Sequence, residues 1–232
     1  MIVAALDTST RFSSLALSVD DNIFELESAE PNSQIESLPA LFEELLVKAS
    51  VSVNDIDKLI IGSGPGSFTG LRIGQSFFTG LATGLSIPLI QASTFRAFCA
   101  PYFTEHRLCV AFADARRDEL FIAAYYGADS SVALDCLEEV LKPQIVSEAK
   151  LVDLLPELVA HYNLELSDVA FIGEEGLLGS EYEVKPVELL ARGLLHSVSS
   201  EALVSAGYSL EGLTAISPLY LREVAARKIS ER

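Results

Sequence analysis

Apolar and polar positions alternate in short runs over the first thirty residues. Ile2–Leu6, Ser13–Val19 and Ile23–Leu26 read as three consecutive strands, and Asp20-Asp21-Asn22 reads as the hairpin turn between the second and third. The period then changes. Ile35, Leu38, Leu41, Phe42, Leu45 and Leu46 fall at helical spacing, which predicts a helix over 35–49 with Pro39 inside it. The apolar run Leu59–Ile61 predicts a fourth strand. A glycine-rich turn follows, then a helix to about Leu85, then a short fifth strand over 88–91. From about Pro101 a second strand-rich stretch begins. Leu108–Ala113 and Glu119–Tyr126 read as strands joined by a turn over 114–118. The stretch 146–155 reads as a helix, Asp168–Ile172 as a strand, Glu174–Ser180 as a polar loop, and 186–198 and 200–206 as helices.

The order strand, strand, strand, helix, strand, helix, strand is the ribonuclease H-like plan, an α/β fold with a mixed sheet and helices packed on it. The predicted organisation is an N-terminal domain over 1–100, completed by C-terminal helices near 200–222, and a smaller, diverged second domain over 101–199. At 232 residues and 50% hydrophobic content the chain can bury a sizeable core. No apolar run approaches the roughly 20 residues that span a bilayer. Met1-Ile2-Val3 runs straight into a strand pattern without a basic leader, so no signal peptide is expected. Cys99, Cys109 and Cys136 stand in apolar contexts without ligand spacing and read as buried thiols in the cytoplasm.

Charge narrows the partners. The net charge is −17, from 33 acidic and 16 basic residues. A polyanion is bound by displacing its counterions with Lys and Arg. The nearest approach to a basic stripe is Arg116-Arg117, followed at once by Asp118-Glu119. The chain alone is therefore expected to bind nucleic acid negligibly, and a basic partner would suit it.

Two places offer candidate chemistry. Gly62-Ser63-Gly64-Pro65-Gly66-Ser67-Phe68-Thr69-Gly70-Leu71-Arg72-Ile73-Gly74 joins a strand to a helix, with Ser67 or Thr69 as the N-cap. Backbone N–H groups in such a turn can cradle an anion. The run lacks the Lys-Ser or Lys-Thr of a P-loop and misses the G-x-G-x-x-G spacing by one, so a tight, closely packed turn is the plainer reading. Asp7-Thr8-Ser9-Thr10 ends the first strand and can hold a metal–phosphate group or satisfy its own turn. Asp7, Thr8, Gly64 and Gly66 are thus the weak candidates for nucleotide contact. His106, His161 and His196 are far apart and form no metal-ligand pair, and no serine stands in a nucleophile elbow. No metal site and no catalytic residue is assigned.

The second helix carries Gly70, Gly74, Gly80 and Gly84, which should cost it a few kcal/mol relative to alanine, at about 1 each. Glycines four apart let another backbone come close. The contact is either with the chain's own sheet or with another subunit. For the latter, Leu38, Leu41, Phe42, Leu45, Gly70, Gly74, Phe77, Phe78 and Leu81 are the candidate interface.

Val3-Ala4-Ala5-Leu6-Asp7-Thr8-Ser9, the block Gly62–Gly74, Asp114-Ala115-Arg116, Val140-Leu141-Lys142-Pro143 and Pro218-Leu219-Tyr220-Leu221-Arg222 together resemble the bacterial TsaB (YeaZ) family. The resemblance runs from the first strand to near residue 222. It implies two ribonuclease H-like, actin-like (ASKHA) domains and a non-catalytic scaffold subunit. In that family the subunit pairs with TsaD, which carries the catalytic metal, and works with the ATPase TsaE. The complex transfers a threonylcarbamoyl group, from an adenylate made elsewhere, to the adenosine beside the anticodon of ANN-decoding tRNAs. The resemblance further implies docking helices at about 35–49 and 67–85, tRNA contact only through the complex, and a homodimer when TsaD is absent. It implies no cofactor of the chain's own; ATP or ADP at a partner interface stays open. One departure is visible: where the family often has His followed by Ser or Thr before the helix proline, this chain has Ser33-Gln34. The alternative function is a stand-alone ATPase or small-molecule kinase of the same superfamily, using Asp7, Thr8 and the glycine turn.

Overall fold

The computed structural model describes residues 1–20, 22–128, 137–180, 182–187 and 190–221. Asp21, Cys136 and Arg222 lie outside the described residues. In the first sheet, β1 (Ile2–Asp7), β2 (Ser14–Val19) and β3 (Asn22–Glu27) form an antiparallel meander. The strands β4 (Lys58–Gly62) and β5 (Leu89–Ala92) run parallel to β1, giving the order β3-β2-β1-β4-β5. Helix α1 (Gln34–Ala49) leads from β3 to β4, and α2 (Phe68–Leu85) from β4 to β5. Helix α3 (Thr94–Cys99) then leads out of the sheet.

The second sheet contains β6 (Leu108–Arg116), β7 (Glu119–Tyr126), β8 (Glu138–Ser147), β9 (Val169–Ile172) and β10 (Val184–Lys185). Its order is β10-β9-β6-β7-β8, so the strands repeat the arrangement of the first sheet. Helix α4 (Glu148–His161) follows β8. Three helices close the described chain: α5 (Leu190–Ser197), α6 (Ser200–Ser205) and α7 (Leu210–Ala215).

Period 2 explains the layers. β1 is buried on both faces, which its near-continuous apolar run requires. Ala4 and Leu6 face α1 and α2, through Leu38, Phe42, Leu45 and Phe78. Val3 and Ala5 face the other way, onto Ala97 of α3 and Ala191 and Leu194 of α5. In the second sheet Cys109, Ala111 and Tyr125 meet Phe95 and Phe98 of α3. Its far face carries Leu151 and Leu155 of α4 on Leu108, Val110 and Ile122. The stack is therefore α1/α2, sheet, α3/α5, sheet, α4.

Four elements differ from the sequence reading. The strand β8 covers Glu138–Ser147, so the helix expected from 146 begins at Glu148, where the Ser147 hydroxyl accepts from Lys150 N. Pro143 is tolerated because β8 is an edge strand. The short α3 and β10 were also not expected. Finally, α5 packs through Ala191 and Leu194 on the first sheet and through Leu190 on the second. Its Ala191 N donates to Ser14 Oγ at 3.1 Å. Gly193 permits the close crossing with α3, since a Cβ there would lie 2.4 Å from the Ala97 carbonyl oxygen.

Candidate partner interface

The glycine turn closes onto the end of β1. Asp7 is fully buried and accepts from Ser9 N at 2.7 Å, Ser9 Oγ at 2.6 Å and Thr94 Oγ1 at 2.7 Å. Thr94 Oγ1 in turn accepts from Gly64 N at 3.0 Å. Burial pushes the Asp7 carboxyl above its usual value of 3.8, opposed by the bonds from Ser9 and Thr94. Thr8 Oγ1 donates to the Gly70 carbonyl at 2.7 Å, and Ser67 N donates to the Ser9 carbonyl at 2.7 Å.

The glycines are there because that loop lies against them. A Cβ at Gly62 would sit 2.0 Å from Asp7 Oδ2, at Gly66 2.4 Å from the Ser9 carbonyl oxygen, and at Gly70 2.1 Å from that of Thr8. At Gly74 it would meet Thr8 Oγ1 at 2.3 Å. Ser67 is the N-cap, accepting from Gly70 N at 3.2 Å, and Thr69 lies within the first turn of α2. The superfamily's nucleotide would need the Asp7 carboxylate and the Gly64 and Gly66 backbone. Here Asp7 and Gly64 N are both bonded to Thr94 Oγ1, and Gly66 packs on the Ser9 backbone.

The same geometry turns most of the residues proposed for a partner interface inward. Leu38, Phe42, Leu45, Gly70, Gly74 and Phe78 are buried in the chain's own core. Leu41, Phe77 and Leu81 are half-buried against it. Rings of Phe42 and Phe77 meet edge-on at 5.6 Å, and Phe42 and Phe78 at 6.0 Å, which locks α1 to α2. The notches at Gly70 and Gly74 are filled by Thr8, not by another subunit. Gly80 and Gly84 are different: a Cβ on either would meet nothing within 4 Å.

An accessible groove lies between the N-terminal halves of α1 and α2. It has a volume of about 490 Å³ and is lined by Gln34, Ile35, Leu38, Pro39, Phe68, Thr69, Arg72, Ile73, Ser76 and Phe77. Of the predicted interface, only Leu38 and Phe77 line it. Ile35 was read as part of the buried stripe, yet it is 69% exposed on the groove's lip. Pro39 lacks the N–H that would bond the Ile35 carbonyl one turn earlier.

Two contacts fix the groove's ends. Gln34 is buried and its Nε2 donates to the carbonyls of Thr10 at 3.2 Å and Arg11 at 3.1 Å. Gln34 thus staples the start of α1 to the loop after β1. At the other end the chain returns as a strap. Leu219 N donates to the Ser63 carbonyl at 2.8 Å, and the Gln75 and Gln91 side chains donate to the carbonyls of Ile216 and Ser217. Tyr220 OH accepts from Arg72 Nε at 2.9 Å. This is what the Pro218–Leu221 motif does, and neither the staple nor the strap was foreseen.

The remaining candidates do not converge. Among the described residues no three His, Cys, Asp or Glu gather as metal ligands. His161 is the last residue of α4, and His196 lies on α5 with its pKa lowered by burial and the nearby Arg192. Cys99 and Cys109 are buried free thiols, and burial raises that of Cys99. Arg116 and Arg117 form the exposed tip of the β6–β7 hairpin, at φ 66 and 60, with Arg116 paired to Asp114 at 2.9 Å. No helix among the described residues is long and apolar enough to cross a membrane.

Two sheets of one strand order, with helices between and outside them, define a two-unit ribonuclease H-like α/β protein. Residues 31–226 match the family described as TsaD: tRNA N6-adenosine threonylcarbamoyltransferase, and the chain belongs to that family. Within it the chain is similar to TsaB. The tRNA threonylcarbamoyladenosine biosynthesis protein TsaB of Escherichia coli (strain K12) is 36% identical over 154 residues, 64% of this chain and 65% of that protein. The protein of that name from Haemophilus influenzae is 32% identical over 125 residues, 53% of each. That of Bacillus subtilis (strain 168) is 27% identical over 207 residues, 83% of this chain and 87% of the relative. The matched stretch thus spans under two thirds of the length of the first two relatives. Among solved structures, YeaZ from Pseudomonas aeruginosa has the same fold, with a TM-score of 0.72 at 24% identity, covering 95% of this chain and 99% of that one.

Proposed function

We propose that this chain is a non-catalytic scaffold subunit in the formation of threonylcarbamoyladenosine beside the anticodon of ANN-decoding tRNAs, and that its α1–α2 groove docks a TsaD-type partner. The observation that carries the reading is the contrast between the two candidate sites. The polar strand end is closed by its own residues, while the groove is open, apolar and edged by Ile35 at 69% exposure. Apolar surface of this kind is stabilised by a partner helix. The names of the relatives supply the pathway.

TsaD carries the metal and the chemistry in this reading, and a TsaE-type ATPase acts with the pair. The chain holds no cofactor of its own. It reaches tRNA only through the complex, because a net charge of −17 repels a polyanion. Without TsaD the groove is covered by a second copy of the chain. The setting is the cytoplasm, where tRNA is modified and buried thiols stay reduced. The stand-alone ATPase or kinase is disfavoured, since Asp7, Gly64 and Gly66 are bonded or packed internally.

The test is reconstitution. Purified TsaD and TsaE, the acyl adenylate and tRNA are assayed for modified adenosine with and without this chain. Modification should depend on the chain, while the chain alone neither hydrolyses ATP nor retains tRNA on a filter at physiological salt. ATP turnover by the chain alone at roughly 1 per second or faster, abolished by Asp7→Ala, would establish the enzyme instead.

A further inference from the structure

The groove is mostly apolar and carries a single charge. Of its ten lining residues, Arg72 alone is charged. Its guanidinium lies 4.0 Å from the centre of the Phe68 ring, and the ring of Tyr220 stands 5.1 Å from that of Phe68. With Nε donating to Tyr220 OH at 2.9 Å, the exposed group is anchored beside the two rings. No carboxylate pairs with it among the described residues, although the chain has 33 acidic side chains to 16 basic ones. Its two terminal nitrogens are the donors that a carboxylate takes up in a bidentate pair.

Docking sharpens the point. A helix with only apolar side chains, laid into this groove, would strip water from an anchored cation and give it no partner, which is strongly unfavourable. A nucleic acid is disfavoured by the acidic surface of α1, which exposes Glu36, Glu43 and Glu44. We propose that Arg72 is the receptor for a carboxylate on the partner's docking helix, so that the groove selects an apolar helix carrying one acidic side chain. The inference rests on the reading of the groove as the docking surface for a TsaD-type partner.

The experiment measures the dissociation constant of the complex with purified TsaD by calorimetry, at about 50 mM and about 500 mM salt. The variants are Arg72→Met, Arg72→Lys, Tyr220→Phe and Ile35→Glu, each checked by thermal melting. Arg72→Met keeps the apolar stem and should weaken the complex at least tenfold at low salt and flatten its salt dependence. Arg72→Lys should recover part of the loss, because it restores the charge without the planar fork. Tyr220→Phe should bind within about threefold of native, which separates loss of the cation from loosening of the strap. If Ile35→Glu abolishes binding while Arg72→Met keeps both affinity and salt slope, the carboxylate receptor is wrong and the docking groove stands. If Ile35→Glu also binds normally, the groove is not the docking surface and both ideas fall. If Arg72→Met loses only self-association, the carboxylate belongs to a second copy and the assignment to the partner is overturned.

Discussion

Gly62 and Gly173 hold the same place in two sheets of the same strand order. Each lies one step beyond the last pair of a parallel ladder, after Leu6–Ile61 in the first sheet and Ala111–Ile172 in the second. Each must be glycine because the central strand presses on it. A Cβ at Gly62 would sit 2.0 Å from Asp7 Oδ2, and one at Gly173 would sit 2.5 Å from the Phe112 ring. What occupies the position differs: a buried, hydrogen-bonded carboxylate in the first sheet and a phenylalanine in the second. Beyond the glycine the two diverge. The first continues into the eighteen-residue α2, whereas the second reaches β10 with no helix among the described residues. Only the first sheet therefore carries two helices side by side on its outer face. Strand order alone does not make a site. Both strand ends are closely packed, and the accessible groove follows from a crossover helix that the second sheet lacks among the described residues.

The sharpest way to break this comparison is to disturb the packing under α2. Gly70→Ala pushes a Cβ to 2.1 Å from a backbone oxygen that cannot swing aside. It should destabilise the chain by about 3 kcal/mol, at the upper end of overpacking costs. Urea denaturation measures it, and a loss under about 0.5 kcal/mol would show that the turn is not rigidly held.

The Asp7 carboxyl gives the next effect, and Phe112 has no counterpart to it. Burial raises its pKa above 3.8 in the folded state. The neutral form is then the better-tolerated one in the fold. Its contribution to stability is complete below 3.8 and is lost as the pH rises through the raised value. Asp7→Asn should remove that segment of the stability–pH profile. An unchanged profile would mean that the carboxylate is compensated fully by Ser9 and Thr94.

A smaller effect separates the two glycine pairs of α2. Gly80→Ala fills open space in a helix interior, so it should stabilise by up to about 1 kcal/mol, opposite in sign to Gly70→Ala. The smallest expected change comes from His196. Its lowered pKa means stability is present above 6.5 and falls as the pH drops through the lowered value. The histidine is exposed, so the slope should be shallow, and His196→Gln should abolish it.

Much of this was legible in the chain. Periods of two and 3.6 placed β1, β2, α1 and α2 within a residue or two, because each buries one regular face. The strand β8 was obscured because Glu138, Glu139 and Pro143 suit only an edge. The glycines of α2 were harder. Gly70 and Gly74 share the stripe of Leu71, Phe78 and Ala82, whereas Gly80 and Gly84 share the exposed side with Arg72, Ser76 and Thr83. Spacing four apart is common to both pairs, so spacing could not separate the packed pair from the free one. Ile35 misled for the converse reason. It falls on the apolar stripe of α1 but precedes the point where that stripe meets the sheet. Contacts between distant segments, such as Gln34 with Thr10 or Arg72 with Tyr220, leave no local pattern at all.

The central claim is that the groove, not the glycine turn, is the working surface. Ile35→Glu tests it most directly, because Ile35 is 69% exposed and its loss leaves the core intact. Its melting temperature and circular dichroism should match the native chain. Titrated with purified TsaD, it should bind at least a hundredfold more weakly, since a carboxylate would be carried into an apolar contact. Native-like affinity for TsaD in this folded variant would contradict the account.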